Sequence, residues 1–108
     1  MNEITLTGYI GNDAQVKKVN DQKVINFSVA TYKSYTDPAG EKKSTTTWID
    51  CSMWRKTDNI STFLTKGKHV LIKGEPSVSA YVPKDAAEPK GVLQCYVDEL
   101  EFLDKVAG

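Results

Sequence analysis

The sequence predicts an all-β domain: a small antiparallel barrel of five strands with one short helix between the third and fourth. Three observations carry this. Apolar residues recur with period two over short segments, turn residues separate those segments, and only one stretch has helical spacing. With 108 residues, 40% of them hydrophobic and 26% charged, the chain has the size and composition of one domain with a single core. Residues 1–105 read as that domain and 106–108 as a short C-terminal end.

The first strand alternates Ile4, Leu6 and Ile10 with Thr5, Thr7 and Tyr9. Gly8 falls on its apolar side, where a missing side chain permits a bend or a close backbone approach. A Gly11-Asn12-Asp13 turn follows. In the second strand Ile25, Phe27 and Val29 share one face, with Asn26, Ser28 and Ala30 on the other. The stretch holding Lys33, Tyr35, Asp37-Pro38, Gly40 and Lys42-Lys43 has turn chemistry and basic character, and reads as the long flexible tip of a hairpin.

The third strand, Thr45 to Trp54, is the most informative segment. Ile49, Cys51 and Met53 point one way; Trp48, Asp50, Ser52 and Trp54 point the other. The tryptophans are thus placed on the side away from the core, about 20 Å apart at roughly 3.3 Å per residue. Next, Asp58 reads as an N-cap, Ile60, Phe63 and Leu64 as one helical face, and Gly67 as the residue that ends the helix. Two strands follow, around His69 to Glu75 and on past Pro76 to Val82; a Pro-, Lys- and Gly-containing loop then leads to a last strand from Val92 to about Leu103. No internal repeat or low-complexity segment interrupts the pattern. Periodicity alone does not separate one small barrel from another.

Charge counts 14 Lys and Arg against 14 Asp and Glu, which argues against a nucleic-acid binder until its distribution is considered. Asp98, Glu99, Glu101 and Asp104 stand near the C-terminal end against Lys105 alone, leaving a body of about +3 over residues 1–97. Met1 to Leu6 carries neither a basic start nor an apolar run, so no secretory signal is expected and the cytoplasm is the default location. Cys51 and Cys95 sit inside alternating apolar patterns and are expected as reduced, buried thiols.

Catalytic chemistry is poorly supplied. His69 is the only histidine and reads as a surface residue, the two cysteines lack zinc-site spacing, and no phosphate-binding loop is present; no metal, cofactor or enzymatic activity is expected. The aromatic set is more telling. Tyr35, Trp48, Trp54 and Tyr81 fall outside the core by parity or lie in the basic hairpin, whereas Phe27 and Phe63 read as core. Lys33, Lys42, Lys43, Arg55, Lys56 and Lys84 neighbour these rings. Interleaved rings and cations suit unpaired nucleic acid, because phosphates need charge and bases need flat faces. Asp50 shares the tryptophan face and is unfavourable near phosphate.

These segments together resemble the bacterial single-stranded DNA-binding protein family. Ile4-Thr5-Leu6-Thr7-Gly8-Tyr9-Ile10-Gly11-Asn12-Asp13 is similar to its first strand and Gly-x-x-Gly-x-Asp turn, and Asn26-Phe27-Ser28-Val29-Ala30-Thr31 to its second strand. Thr47-Trp48 with Trp54, then Phe63-Leu64-Thr65-Lys66-Gly67-Lys68 and Ile72-Lys73-Gly74, follow in register. The resemblance implies an OB fold that binds single-stranded DNA without sequence preference in replication, recombination and repair. It implies stacking positions at Tyr35, Trp48, Trp54 and Tyr81 and basic positions at Lys17, Lys56 and Lys66. It also implies a cytoplasmic, nucleoid-associated homotetramer built from dimers, with the strand of Ile4 to Ile10 at the dimer contact.

Two departures accompany it. Pro76-Ser77-Val78-Ser79-Ala80 lacks the basic residues the family often has before the aromatic that Tyr81 matches, and Thr36 follows Tyr35, so weaker binding is expected. The sequence also ends at Gly108 without a counterpart of the family's linker and acidic tail, so partners recruited through such a tail are not expected of these residues. Two other readings use the same residues: an OB-fold replication-accessory or RNA-binding module, and a protein-interaction module whose partner covers the tryptophans. A small hydrolase is a distant third.

Overall fold

The computed structural model describes residues 2–56, 59–85 and 88–104. Asp58, read as a helix cap, and Lys105 with residues 106–108 lie outside the described residues. Six strands form in chain order: β1 (Ile4–Ile10), β2 (Gln15–Val19), β3 (Gln22–Thr36), β4 (Lys42–Arg55), β5 (His69–Tyr81) and β6 (Lys90–Phe102). They pair in the order β1-β5-β6-β4-β3-β2, and β1 returns to β3 through Tyr9 opposite Ala30 and Ile10 opposite Val29. Five strands thereby close an OB-type barrel, while β2 hangs outside the closure as a hairpin partner of β3.

Closure depends on Gly8. A Cβ there would collide with the Ala30 carbonyl oxygen and stand 2.7 Å from Val29 Cγ1, so only glycine lets β1 approach β3 so closely. The interior is filled by the inward parity of each strand: Ile10, Ile25, Phe27, Val29, Ile49, Cys51, Met53, Val70, Ile72, Cys95 and Val97, with Leu64 at one end. Each fully buried aliphatic or aromatic side chain contributes about 1.5–3 kcal/mol, and Ile25, Val29 and Met53 have no solvent exposure at all. Cys51 and Cys95 are free thiols, both buried, and face each other across β4 and β6.

Five expectations need correction. The barrel is not wholly antiparallel: Ile49 to Ser52 of β4 run parallel to Leu93 to Tyr96 of β6, because the chain reverses into β5 and reverses again into β6, which restores the direction of β4. An additional strand, β2, forms where a turn alone was read. The basic tip is mostly strand: β3 and β4 stay paired out to Thr36 opposite Lys42, and only residues 37–41 turn. There the Asp37 carboxylate accepts the Ala39 and Glu41 amides at 3.0 and 2.9 Å, and Gly40 takes φ 85°.

The fourth correction concerns the helix. It is a single 3-10 turn, Asn59–Phe63, too short to present a 3.6-residue face. Phe63, read as core, is 62% exposed, and Leu64 goes inside instead. The Leu64 carbonyl accepts the Ala14 amide at 2.9 Å, which draws that residue under the end of the barrel. Gly67, read as the residue that ends the helix, lies four residues past Phe63 in a separate turn, where it takes the left-handed conformation at φ 94°. The strands read as two after the helix are one continuous strand, β5, with an irregularity between Lys73 and Gly74.

Candidate nucleic-acid interface

Strict alternation along β4 turns Trp48, Asp50, Ser52 and Trp54 outward while Ile49, Cys51 and Met53 are buried. The half-exposed indoles, 55% for Trp48 and 45% for Trp54, each surrender part of the roughly 3 kcal/mol that full burial of a large ring supplies. Neighbouring strands extend this face. Asn26 and Ser28 of β3 stand opposite Ser52 and Asp50, and Gln94 and Tyr96 of β6 lie beside the same pair. Ser77, Ser79 and Tyr81 of β5 are opposite Gln94, Val92 and Lys90.

The topology therefore brings Trp48 and Tyr81 to one concavity, lined also by Asp50, Ser79, Lys90 and Gln94, although 33 positions separate the two rings in sequence. Tyr81 is 53% exposed. Trp54 lies further along the same face, opposite Val24, and Val24 in turn is opposite Lys17 on β2. Lys17 accordingly projects on the Trp54 side, about 10 Å away across two strand spacings.

Tyr35 is placed differently. It pairs with Lys43 at the end of the β3–β4 arm and has the parity of Ile25, Phe27 and Val29, not that of Ala30, the residue opposite Trp48. It is exposed because the arm runs beyond the barrel, where the inward face has nothing left to cover. With Lys42, Lys43, Ser34 and Ser44 it lines a shallow concavity of its own. Alternation sets that surface on the opposite side of the arm from Trp48.

The basic residues divide as well. Lys33, Lys42, Lys56, Lys66 and Lys84 are exposed. Lys33 is on the arm, and the amide of Lys66 is tied to Asp13 at 2.9 Å, which holds that segment beside the β1–β2 loop. Lys43 sits 3.3 Å from the Asp37 carboxylate that organises the turn. Arg55 is half-buried, and its guanidinium donates to the carbonyls of Trp54 at 2.9 Å and Asp98 at 3.2 Å, bridging β4 to β6 just past the last ladder pair. It acts as a strand tie. Lys90, directly opposite Tyr81, is a cation on this face that sequence reasoning passed over.

Tyr96 was missed too: its ring is 45% exposed on the outward parity of β6, a position that alternation with Cys95 and Val97 could have flagged. Beneath the rings lies a polar floor of Asn12, Gln15, Asn26, Ser28, Asp50, Ser52 and Gln94. Asn12 Oδ1 accepts from the Ser28 hydroxyl at 2.5 Å and the Ser28 amide at 3.1 Å, and Asn26 Oδ1 accepts the Ser52 hydroxyl at 2.9 Å. His69 is not part of the face; it stacks on Tyr9, with ring centroids 4.5 Å apart, around the barrel. Among the described residues no three His, Cys, Asp or Glu side chains gather as a metal site, and no helix is long and apolar enough to cross a membrane.

Burial raises the Cys51 thiol well above its ordinary range, with Cys95 and Asp50 adding to the effect; Cys95 is raised by burial and by Asp98. Neither thiol is suited to nucleophilic chemistry at neutral pH, since the thiolate is the reactive form.

Residues 1–103 match the family described as the Single-strand binding protein family. A single-stranded DNA-binding protein of Neisseria meningitidis serogroup A is 34% identical over 105 residues, covering 95% of this chain and 60% of that protein. Single-stranded DNA-binding protein 1 of Chlorobaculum tepidum is 27% identical over 105 residues, with 95% and 65% covered. The chain thus spans 60–65% of the length of these relatives. Among solved structures, a Plasmodium falciparum SSB complex with ssDNA superposes with a TM-score of 0.75 at 29% identity, over 96% of both chains. A small single-stranded DNA-binding protein from Streptomyces coelicolor shares the fold, with a TM-score of 0.78 at 16% identity, over 93% of this chain and 92% of that one.

Proposed function

Because the chain belongs to the Single-strand binding protein family and carries rings over a polar sheet face, we propose that it binds single-stranded DNA without catalysing a reaction on it. Bases stack on Trp48, Trp54 and Tyr81, and Lys17, Lys56, Lys84 and Lys90 follow the phosphates. Tyr35, with Lys33, Lys42 and Lys43, engages strand that continues around the arm. The observation that carries this reading is the meeting of Trp48 and Tyr81 in one concavity, with Trp54 exposed further along the same face. Each base–aromatic stack contributes about 1–3 kcal/mol and accepts any base. The role is coating of exposed strand in replication, recombination and repair, in the cytoplasm at the nucleoid.

A second copy completes the assembly. β1 pairs with β5 along Ile4 to Tyr9 but with β3 only at Tyr9 and Ile10, so its other edge from Ile4 to Gly8 has no ladder partner among the described residues. An open edge of that kind is a template for pairing with another strand. Dimers formed there, paired into a tetramer, are the state expected in sedimentation.

Titration with oligo(dT) tests the binding claim. Tryptophan emission quenches as the strand seats, and affinity falls as salt rises, by a logarithmic slope of about 0.7 per phosphate neutralised. Unchanged emission at low salt would remove the proposal.

A further inference from the structure

The floor beneath the rings holds two unequal sets of polar groups. Asn12 with Ser28, and Asn26 with Ser52, form hydrogen-bonded pairs. Asp50 and Gln94, side by side in register on β4 and β6, have no side-chain partner among the described residues. Asp50 is exposed and Gln94 half-buried, and both line the concavity that Trp48 and Tyr81 share as well as the groove beside it. No lysine or arginine of the described residues pairs with the Asp50 carboxylate. A carboxylate in the middle of a surface that follows phosphates repels the backbone, and a hydrogen-bond donor on the strand offsets that repulsion.

We infer that Asp50 and Gln94 read the edge of the base stacked on Trp48, and that they bias binding toward guanine and against thymine. The inference rests on the DNA-binding reading above and qualifies its indifference to sequence with a preference. Asp50 follows Trp48 by two residues on one face, about 7 Å along the strand, and Gln94 lies about 5 Å across it. A base seated in the concavity that Trp48 and Tyr81 share therefore brings its hydrogen-bonding edge to the pair.

Guanine presents two adjacent donors, N1–H and the 2-amino group, beside the acceptor O6. The Asp50 carboxylate takes both donors and the Gln94 amide donates to O6. Thymine has one donor, N3–H, between two carbonyl oxygens, so a carboxylate that approaches it faces an oxygen on either side. Cytosine and adenine each bring one amino group and fall between. A well-formed bidentate pair discriminates between bases by roughly tenfold or more.

The test compares affinities, by tryptophan quenching, for oligo(dT) and for strands of equal length with 7-deazaguanine at every third position, an analogue that suppresses four-stranded structures. The guanine-bearing strand should bind about tenfold more tightly, with a hypoxanthine-bearing strand, which lacks the 2-amino group, between the two. Asp50→Ala should bind oligo(dT) more tightly than the parent and bring the ratio within about twofold; Gln94→Leu should lower the ratio while keeping the carboxylate. Equal affinity of the parent for both strands, or a ratio unchanged in both variants, overturns the inference and leaves the DNA-binding proposal standing. Failure of every strand to quench at low salt would remove both.

Discussion

Gly11 lies against the edge of the Trp48 indole: a Cβ at position 11 would overlap ring atom Cζ3, stand 2.8 Å from Cη2 and 3.1 Å from the Ser28 hydroxyl. The residue after β1 thus sets how the ring rests on the sheet. Gly11→Ala should push the indole off its seat, and because the colliding atoms are the far end of an exposed side chain, the fold loses at most about 0.5 kcal/mol. Oligonucleotide affinity should drop several-fold at nearly constant melting temperature. A melting point lowered by many degrees would show that the ring is fixed.

Removing the rings themselves gives the stronger test of the face. Trp54→Ala and Trp48→Ala should each cost about 1–3 kcal/mol in affinity for oligo(dT) and less than that in stability, since both rings are already half in water. Chemical denaturation alongside the titration checks both halves of the statement. Phe63→Ala, at an exposed residue away from the face, should alter affinity little.

Gly74 is the counterpart of Gly11 with the opposite outcome. A Cβ there would run into the Tyr96 carbonyl oxygen, with Tyr96 C at 2.8 Å and Cys95 Sγ at 2.9 Å, at the irregularity where β5 bends against β6. Backbone cannot move aside as an indole can. Gly74→Ala should cost about 2–3 kcal/mol, which lowers the melting temperature of a domain this size by roughly 10 °C or more. Calorimetry decides it.

Arg55 and Lys17 separate two duties that sequence alone could not. Arg55 bridges two backbone carbonyls, so Arg55→Ala should destabilise the fold by about 1 kcal/mol and leave the salt slope of DNA binding close to unchanged. Lys17 is exposed on the Trp54 side, so Lys17→Ala should reduce that slope by about 0.7–1 with stability unaffected. Titrations at several salt concentrations distinguish them.

The contrast shows which features the sequence could carry. β4 was legible because one side of it is buried and the other wet, and that asymmetry writes itself as period two in Trp48 to Trp54. β2 was not, since Gln15-Val16-Lys17-Lys18-Val19 has no buried face and forms only because β3 offers it an edge. The parallel pairing of β4 with β6 follows from how the barrel closes over some 40 intervening residues, for which no local signal exists. The same holds for the site. Exposure of Trp48 and Tyr81 could be read from parity, but their sharing a concavity, the placing of Tyr35 on the other face of the arm, and the partnerless Asp50 all depend on strand neighbours.

The facing thiols of Cys51 and Cys95 give a pH dependence whose sign follows from burial. Both are raised from an ordinary value of 9.0, chiefly by burial, so the native state keeps protons that the unfolded chain releases once the pH passes about 9. Their contribution to stability is intact below pH 9 and declines above it, by up to about 1.4 kcal/mol per pH unit for each thiol while the native state stays protonated. The measurement is the difference between the parent chain and Cys51→Ala with Cys95→Ala, unfolded in urea at pH 8, 9 and 10, in which contributions from other groups cancel. The double variant should be less stable at pH 8, from the cavities left behind, and the gap should narrow steadily as the pH rises. A gap that stays constant from pH 8 to 10 would mean that both thiols ionise in the folded barrel as they do in water.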